Sequence, residues 1–481
     1  MSTPFVIPNF DPAVPELALL IMASIVLIVD VYQPPERRIV TYWLSQVSLA
    51  ITAYLVLDAY QLGVVETFQG TFRLDALAVV LKLAIIGVSM VVLAYSRDFL
   101  EERGLLKGEY FLLALFAVLG MMVIVSAYSL LTVYLGLELL SLSLYGMVAL
   151  DRDSGRASEA AMKFFVLGAL ASGMLLYGMS MVYGATHSLD IATIAANVDG
   201  LKSSKVLMLG TVFVVVGVAF KLGAVPFHMW IPDVYQGAPS SVTLFIATAP
   251  KLAGFAMLIR LLAYGLGGVH VHWQDMFVLM AVLSMVIGNV VAIAQENIKR
   301  MLAYSTIAHA GFLFLGMIPG TASGYSAALF YTVTYTITAL GAFGMIVVLS
   351  RKGFEVNDIK DFAGLNRRNP WYAFILLVLM LSMAGVPPFV GFWAKWNVLR
   401  EVIAIYMTWL ALFAVCFSVI GLFYYLRVAR MAYFEANDEI VNVESRRSVR
   451  VLLSANMLAV LLLGLLPGGL MALCAQAFQS F

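Results

Sequence analysis

Uncharged apolar runs recur along the whole chain, and they restrict its fold more than any other feature. Between Glu109 and Glu138 stand 28 consecutive residues without a charge. A run of 18 or more such residues is long enough to cross the hydrocarbon of a bilayer as a helix. Within lipid every backbone N–H and C=O needs an internal partner, which leaves helices or closed barrels. A barrel would show short alternating segments, whereas these runs are continuous. With 62% hydrophobic and 12% charged residues and a mean hydropathy of +0.95, the chain has too little polar surface to face water. The expected fold class is an all-α polytopic membrane protein, a single membrane domain over 1–481.

About fourteen spans are expected, near 14–31, 39–59, 74–95, 110–127, 129–149, 159–183, 205–224, 239–262, 273–293, 298–317, 324–349, 371–394, 404–429 and 448–472. Only Tyr128 and Ser129 mark the turn between the fourth and fifth. The first run lacks a basic stretch before it and a small-residue cleavage site after it, and reads as a retained span. Basic residues separate by loop. One side receives eighteen, among them Arg37, Arg38, Lys107, Arg152, Arg351, Lys352, Arg446 and Arg447; the other receives five, Arg73, Lys202, Lys205, Arg260 and Arg400. The first side is expected to be cytoplasmic, with both termini on the opposite face.

The chain also resembles itself. AAMKFFVLGALASG from Ala160 is echoed by AALFYTVTYTITALG from Ala327, and AVPFHMW from Ala224 by GVPPFVGFW from Gly385, at offsets of 167 and 161 residues. An odd number of spans per unit inverts the second copy, a transporter signature. The expected organisation is flanking helices in 1–109, two inverted five-helix repeats in 110–262 and 273–432, and a flanking helix in 448–472.

Six basic residues fall inside spans: Lys82, Lys163, Lys221, Lys251, Lys395 and Arg427, with one carboxylate near mid-span, Glu138. A charge at mid-bilayer costs roughly 2.5–3.5 kcal/mol on insertion scales, so these groups must face a polar interior or each other. Glu138 and Lys221 form the natural pair. A fixed structural ion pair would need only those two. Lys163, Lys221, Lys251 and Lys395 instead form a series expected near mid-depth, as proton transfer requires. His309, between Lys251 and Lys395 in chain order, is either a satisfied core residue or a bridge between two lysines. Lys82 and Arg427 lie nearer the span ends and are expected to snorkel. His228 is expected near the cytoplasmic mouth, and His187, His270 and His272 in solvated loops.

Three lysines accompany helix breakers. Pro226 and Pro232 follow Lys221, Pro250 precedes Lys251, and Pro387 and Pro388 precede Lys395. Each proline removes a donor and frees a carbonyl one turn earlier, around Leu222 in the first case. In lipid that is tolerated only where backbone lines protein or a water-filled cavity. Helix interruptions are therefore expected at spans 7, 8 and 12, beside hydrated space. Cys416 and Cys474 lie in apolar segments, and the five histidines are far apart, so no disulfide framework, metal site or catalytic residue is indicated. A net charge of +1 implies no nucleic-acid partner. No phosphate-binding glycine loop or iron–sulfur cysteine cluster is found.

SEAAMKFFVLGALASG, PFHMWIPDVYQGAPSSVTLFIATAPK, NIKRMLAYSTIAHAG and GVPPFVGFWAKW are similar to stretches of the antiporter-like membrane subunits of proton-pumping NADH:quinone oxidoreductase, respiratory complex I. The resemblance runs from the fourth span to the thirteenth. PDVYQGAP discriminates among these subunits, since siblings usually carry a PDA-type sequence there. One sibling usually has glutamate where Lys395 stands, and another is longer, with a C-terminal lateral helix. The resemblance implies that Glu138 and Lys221 are a coupling pair, Lys251 the central lysine and Lys395 the terminal one, with Lys163 and His309 connecting them. It implies that this chain holds no cofactor, while FMN, iron–sulfur clusters and quinone belong to partner subunits. Other membrane subunits of the complex, including homologous ones, are the implied partners, in a bacterial inner membrane. Two alternatives remain: a subunit of a multi-subunit Na⁺/H⁺ antiporter, and a structural subunit whose buried charges only specify packing.

Overall fold

The computed structural model describes residues 7–34, 38–350, 354–435 and 447–479. Of the basic residues assigned to loops above, Arg37, Arg351, Lys352 and Arg446 lie outside the described residues.

Helices form where the apolar runs predict them. Among the described residues, twelve segments are long and apolar enough to cross a membrane, from Asp11–Tyr32 to Arg447–Leu465. Two further predicted spans are helical without meeting that measure. Ile298–Met317 begins with Lys299 and Arg300, and the twelfth is divided into Pro370–Ala384 and Val390–Ala404. Many helices start where a short polar side chain accepts an otherwise orphaned N–H. Asp75, Ser154, Ser204, Asn297, Thr321 and Asn369 each do this for the residue three further on.

Small residues bring helices into backbone contact, as packing in lipid favours. A Cβ on Gly120 would stand 2.8 Å from Gly136 O, and one on Gly178 2.8 Å from Gly210 O. These contacts weld Gly108–Ser126 to Leu130–Val148 and Gly155–Thr186 to Lys205–Leu222. The interrupted Ser240–Gly265 segment is buried at every residue but Tyr264 and Ala322–Leu349 nearly so, which places Lys251 on the element most shielded from lipid. One element has no precedent in the helical pattern: a two-stranded antiparallel hairpin, Val65–Thr67 with Phe72–Leu74. It bridges from Phe72 to Ala127 in the turn between the fourth and fifth spans.

Several charges lie elsewhere than expected. Lys82 does not snorkel: it is fully buried, with its ammonium 2.5 Å from Glu16 on the first helix. A carboxylate from two spans away removes the reason to reach for water. Arg260 is not a loop residue. It is fully buried, donates to both oxygens of Asp75 at 2.6 and 2.9 Å, and donates again to Val125 O at 3.0 Å. Arg73 joins this cluster through Glu66, Asp75 and the Tyr128 hydroxyl. Arg427 is part-exposed and reaches the end of a packed helix. Its guanidinium donates to the carbonyls of Ile293 and Gln295, where the His270–Ile293 helix ends. Pro232 breaks nothing, because it sits in the first turn of Trp230–Gly237, where its missing N–H is not needed. His187 and His272 are exposed as expected, but His270 bonds to Ile318 O at 3.0 Å.

Candidate functional site

The helix interruptions organise the site. Lys205–Leu222 ends in a left-handed Gly223, φ +80°, and Pro370–Ala384 in a left-handed Gly385, φ +86°. Both ends close in the same way. The glycine and its successor donate to carbonyls four and five residues back: Gly223 and Ala224 to Ala219, Gly385 and Val386 to Leu381. Pro226 and the Pro387–Pro388 pair follow in the non-helical connections. The third interruption falls at Thr248, φ −118° and ψ −92°, directly before Ala249–Leu258, where Pro250 is the second residue.

The carbonyls freed at the first two breaks are capped by lysines. Lys251 Nζ donates to Leu222 O at 3.0 Å, and Lys395 Nζ donates to Ala384 O at 2.7 Å. Each acceptor is the residue just before the left-handed glycine. The negative end of a helix dipole favours a cation there. Gly385 also makes room for its lysine stem, whereas Gly223 makes room for Ile231 and leaves Lys251 at ordinary contact distance. A Cβ on Gly385 would lie 2.8 Å from Lys395 Cδ, and one on Gly223 3.8 Å from Lys251 Nζ. Lys395 reaches Ser418 Oγ at 2.8 Å as well and lies 4.9 Å over the Phe312 ring. Lys251 lies 5.6 Å from the Trp230 ring, whose indole N–H donates to Phe220 O at 2.9 Å beside the Gly223 N–H that closes the helix.

Lys221 and Glu138 do not touch as an ion pair among the described residues. Lys221 Nζ donates to Ser141 Oγ at 2.9 Å, and Ser141 stands one turn from Glu138 on the same helix. Glu138 itself accepts from Ser172. The two predicted partners thus meet one polar strip a turn apart, Lys221 at Ser141 and Glu138 with Ser172, while the Ser141 hydroxyl donates to Leu137 O.

His309 is buried in a hydroxyl network. Its Nδ1 meets Tyr331 OH at 2.5 Å and its Nε2 meets Tyr425 OH at 3.1 Å. Tyr425 continues to Ser305 at 2.5 Å. Phe312, the ring under Lys395, stacks on Tyr331. Among the described residues no hydrogen bond joins Lys221 to Lys251, or Lys251 to His309.

Lys163 stands apart from the buried series. Its side chain is 43% exposed and pairs with Glu159 at 2.9 Å and Asp233 at 2.8 Å. It lies only two turns into Gly155–Thr186, nearer the start of that helix than its middle, where the sequence placed it with the buried lysines. Asp233 also accepts from Arg300 at 2.7 Å, which ties the Trp230–Gly237 segment to both helices. Desolvation raises the Asp233 carboxyl, but the two cations together outweigh it and hold the group below its usual range. Beside it, Lys299 bonds to Glu355 at 3.3 Å and Ser240 to Glu355 at 2.5 Å. His228 is buried in the connection after Pro226.

Three functional-site neighbours escape a reading of the sequence alone: Asp233, Glu355 and Glu16. Asp233 stands inside PDVYQGAP, where the discriminating feature is the whole stretch and not its carboxylate. Glu355 sits in a polar loop with no signal of burial, and Glu16 stands at the edge of the first predicted span. Among the described residues no group of three or more His, Cys, Asp or Glu could hold a metal ion.

Interrupted membrane helices whose freed carbonyls face buried ammonium groups define an antiporter-like membrane subunit. A family model for the membrane region of NADH:quinone oxidoreductase and Mrp antiporters matches residues 127–421. NADH-quinone oxidoreductase subunit N of Thioalkalivibrio sulfidiphilus is 55% identical over 477 residues, covering 99% of each chain. That of Thiobacillus denitrificans is 55% identical over 481 residues, covering all of both. A chain of respiratory complex I from Thermus thermophilus, solved with bound aureothin, superposes with a TM-score of 0.83 at 31% identity, over 96% of this chain and 99% of that one. A chain of the Mrp complex from Dietzia superposes equally well, TM-score 0.83, over 98% of this chain and 96% of that one, but at 19% identity that likeness shows the fold alone. The chain belongs to the NADH-quinone oxidoreductase subunit N family. It is a multi-pass membrane subunit of that complex, and its partners are the complex's other membrane subunits, homologous antiporter-like ones among them.

Proposed function

We propose that this chain carries protons across the membrane through Glu138, Lys221, Lys251, His309 and Lys395, driven by quinone reduction in neighbouring subunits. The observation that carries this reading is the pairing of Lys251 and Lys395 with the open ends of interrupted helices. A carbonyl and an ammonium held together at a break are separable by small motions. An amine alternately held and released there changes its proton affinity. Water admitted beside the breaks supplies the links that side chains do not make. Lys163, with Asp233, stands at the entrance on the cytoplasmic side. Glu138 acts on Lys221 through their shared polar strip, and Lys221 acts on Lys251 through the field between two buried charges. Moving one charge against 100 mV takes about 2.3 kcal/mol.

In this reading the chain crosses the bacterial inner membrane fourteen times, with both termini periplasmic and the units 110–262 and 273–432 inverted relative to each other. It is a non-catalytic translocating subunit with no redox centre. FMN, iron–sulfur clusters and quinone belong to its partners.

The test is Lys221→Ala and Glu138→Ala in the assembled enzyme. Pumping and quinone-coupled turnover should fall while NADH oxidation by a soluble artificial acceptor persists. Undiminished pumping in both variants would falsify the proposal. A sodium-dependent pH gradient formed without NADH or quinone would point to the antiporter alternative.

A further inference from the structure

A cleft of about 410 Å³ opens between the start of Gly108–Ser126 and the end of Leu130–Val148. Its mouth carries Lys107 and Arg152. Neither side chain forms an ion pair or a hydrogen bond among the described residues. The one carboxylate at the rim, Glu109, is engaged by Arg38 at 3.4 Å. Below the mouth the walls are apolar: Leu112, Leu113, Phe116 and Ala149. Gly146 forms part of the wall, and a Cβ there would come 3.1 Å from Leu113 Cδ1. From Glu109 to Phe116 the helix descends roughly 10 Å. Further down the same helix face as Gly146, Leu142, Leu135 and Leu131 are exposed, so the apolar track continues toward mid-membrane.

We propose that this cleft holds an anionic glycerophospholipid, its phosphate between Lys107 and Arg152 and one acyl chain along Leu113, Phe116 and Gly146. Two unpaired cations directly above an apolar slot match a phosphate directly above an acyl chain. Basic pockets between membrane helices on the cytoplasmic side bind such headgroups, and both cations lie on the side where basic residues concentrate. A free phosphate would use the cations but leave the slot empty. A neutral lipid would use the slot but leave the cations unpaired. The inference depends on the membrane-spanning fold and not on the proton path.

The experiment uses the intact complex in nanodiscs containing phosphatidylglycerol or phosphatidylcholine with the same photoactivatable acyl chain. Phosphatidylglycerol should crosslink to peptides covering 112–116 and 142–149, and excess inorganic phosphate should not displace it. Lys107→Gln with Arg152→Gln should weaken this labelling about thirtyfold, roughly fivefold per cation. Gly146→Leu, which fills the slot and keeps both cations, should also abolish it. Equal labelling by the two lipids, labelling unchanged by either variant, displacement by phosphate, or no labelling because a neighbouring subunit covers the cleft would each overturn the proposal. Pumping lost in the Lys221→Ala enzyme with labelling intact keeps the two proposals separate.

Discussion

Lys251 and Leu222 meet across a helix break, ammonium to carbonyl at 3.0 Å, and Lys395 repeats the contact on Ala384 at 2.7 Å. Both carbonyls lack a helical partner because the next residue is a left-handed glycine. The lysine satisfies the backbone, and the backbone, at the negative end of a helix, satisfies the lysine. Either group buried without the other would be left with its desolvation uncompensated.

Lys251→Met keeps length and volume but removes donor and charge. Positioned proton-transfer groups typically contribute a hundredfold or more. Pumping in inverted vesicles, followed with a pH-sensitive dye, should drop about a hundredfold. NADH oxidation by a soluble acceptor should not change. Pumping within twofold of the parent would remove Lys251 from the path.

Gly385→Ala places a side chain at φ +86° and a Cβ 2.8 Å from Lys395 Cδ. The left-handed conformation alone costs roughly 1–2 kcal/mol, and the displaced lysine loses the Ala384 carbonyl. The variant should lower both the thermal inactivation temperature and pumping. Gly104→Ala separates the two effects, because Gly104 also has a positive φ, +66°, but has open space around it. That variant should lower stability and leave pumping intact. Equal pumping in the two variants would mean that the position of Lys395 does not matter.

Glu16→Gln leaves Lys82 charged and unpaired in a fully buried site. Breaking one partner of a buried pair typically costs about 3–5 kcal/mol. The yield of assembled complex should fall accordingly. Glu16→Leu combined with Lys82→Met should recover most of it, since an apolar pair of similar volume is often neutral. Failure of the double variant to recover would give this pair a role beyond packing.

Acid should loosen the cytoplasmic-side clusters. Burial raises the Glu355 carboxyl, but Lys299, the Ser240 hydroxyl and Arg103 together hold it below its ordinary value. Asp233 is lowered likewise by Lys163 and Arg300, against its desolvation. A carboxyl lowered on folding stabilises at pH above its ordinary value and loses that contribution as pH falls through the lowered one. The thermal inactivation temperature should therefore be insensitive to these groups from about pH 8 to 5 and fall below about pH 4. Glu355→Gln should start lower at neutral pH and show a shallower acid decline. An acid decline as steep as the parent's would exclude Glu355 as its source.

Much of this molecule was legible in its sequence. Long apolar runs have one outcome in lipid, so helix positions followed from composition and order. Pro226, Pro250, Pro387 and Pro388 located the interruptions because a missing N–H acts locally. Lys221, Lys251 and Lys395 announced themselves by the cost of burying charge, which does not depend on the partner. Partners were another matter. Lys82 finds Glu16 from two spans away and Arg260 finds Asp75 across 185 positions, and no local pattern encodes such meetings. Lys163 looked equivalent to the other lysines until its helix placed it, part-exposed, between Glu159 and Asp233. Lys221 and Glu138 looked like a direct pair until packing gave the ammonium to Ser141 and the carboxylate to Ser172. Sequence decides which groups are costly to bury, because that cost belongs to each residue alone. Only the tertiary structure decides how the cost is met, because a hydrogen bond needs two groups within about 3 Å, and helix packing alone sets that distance.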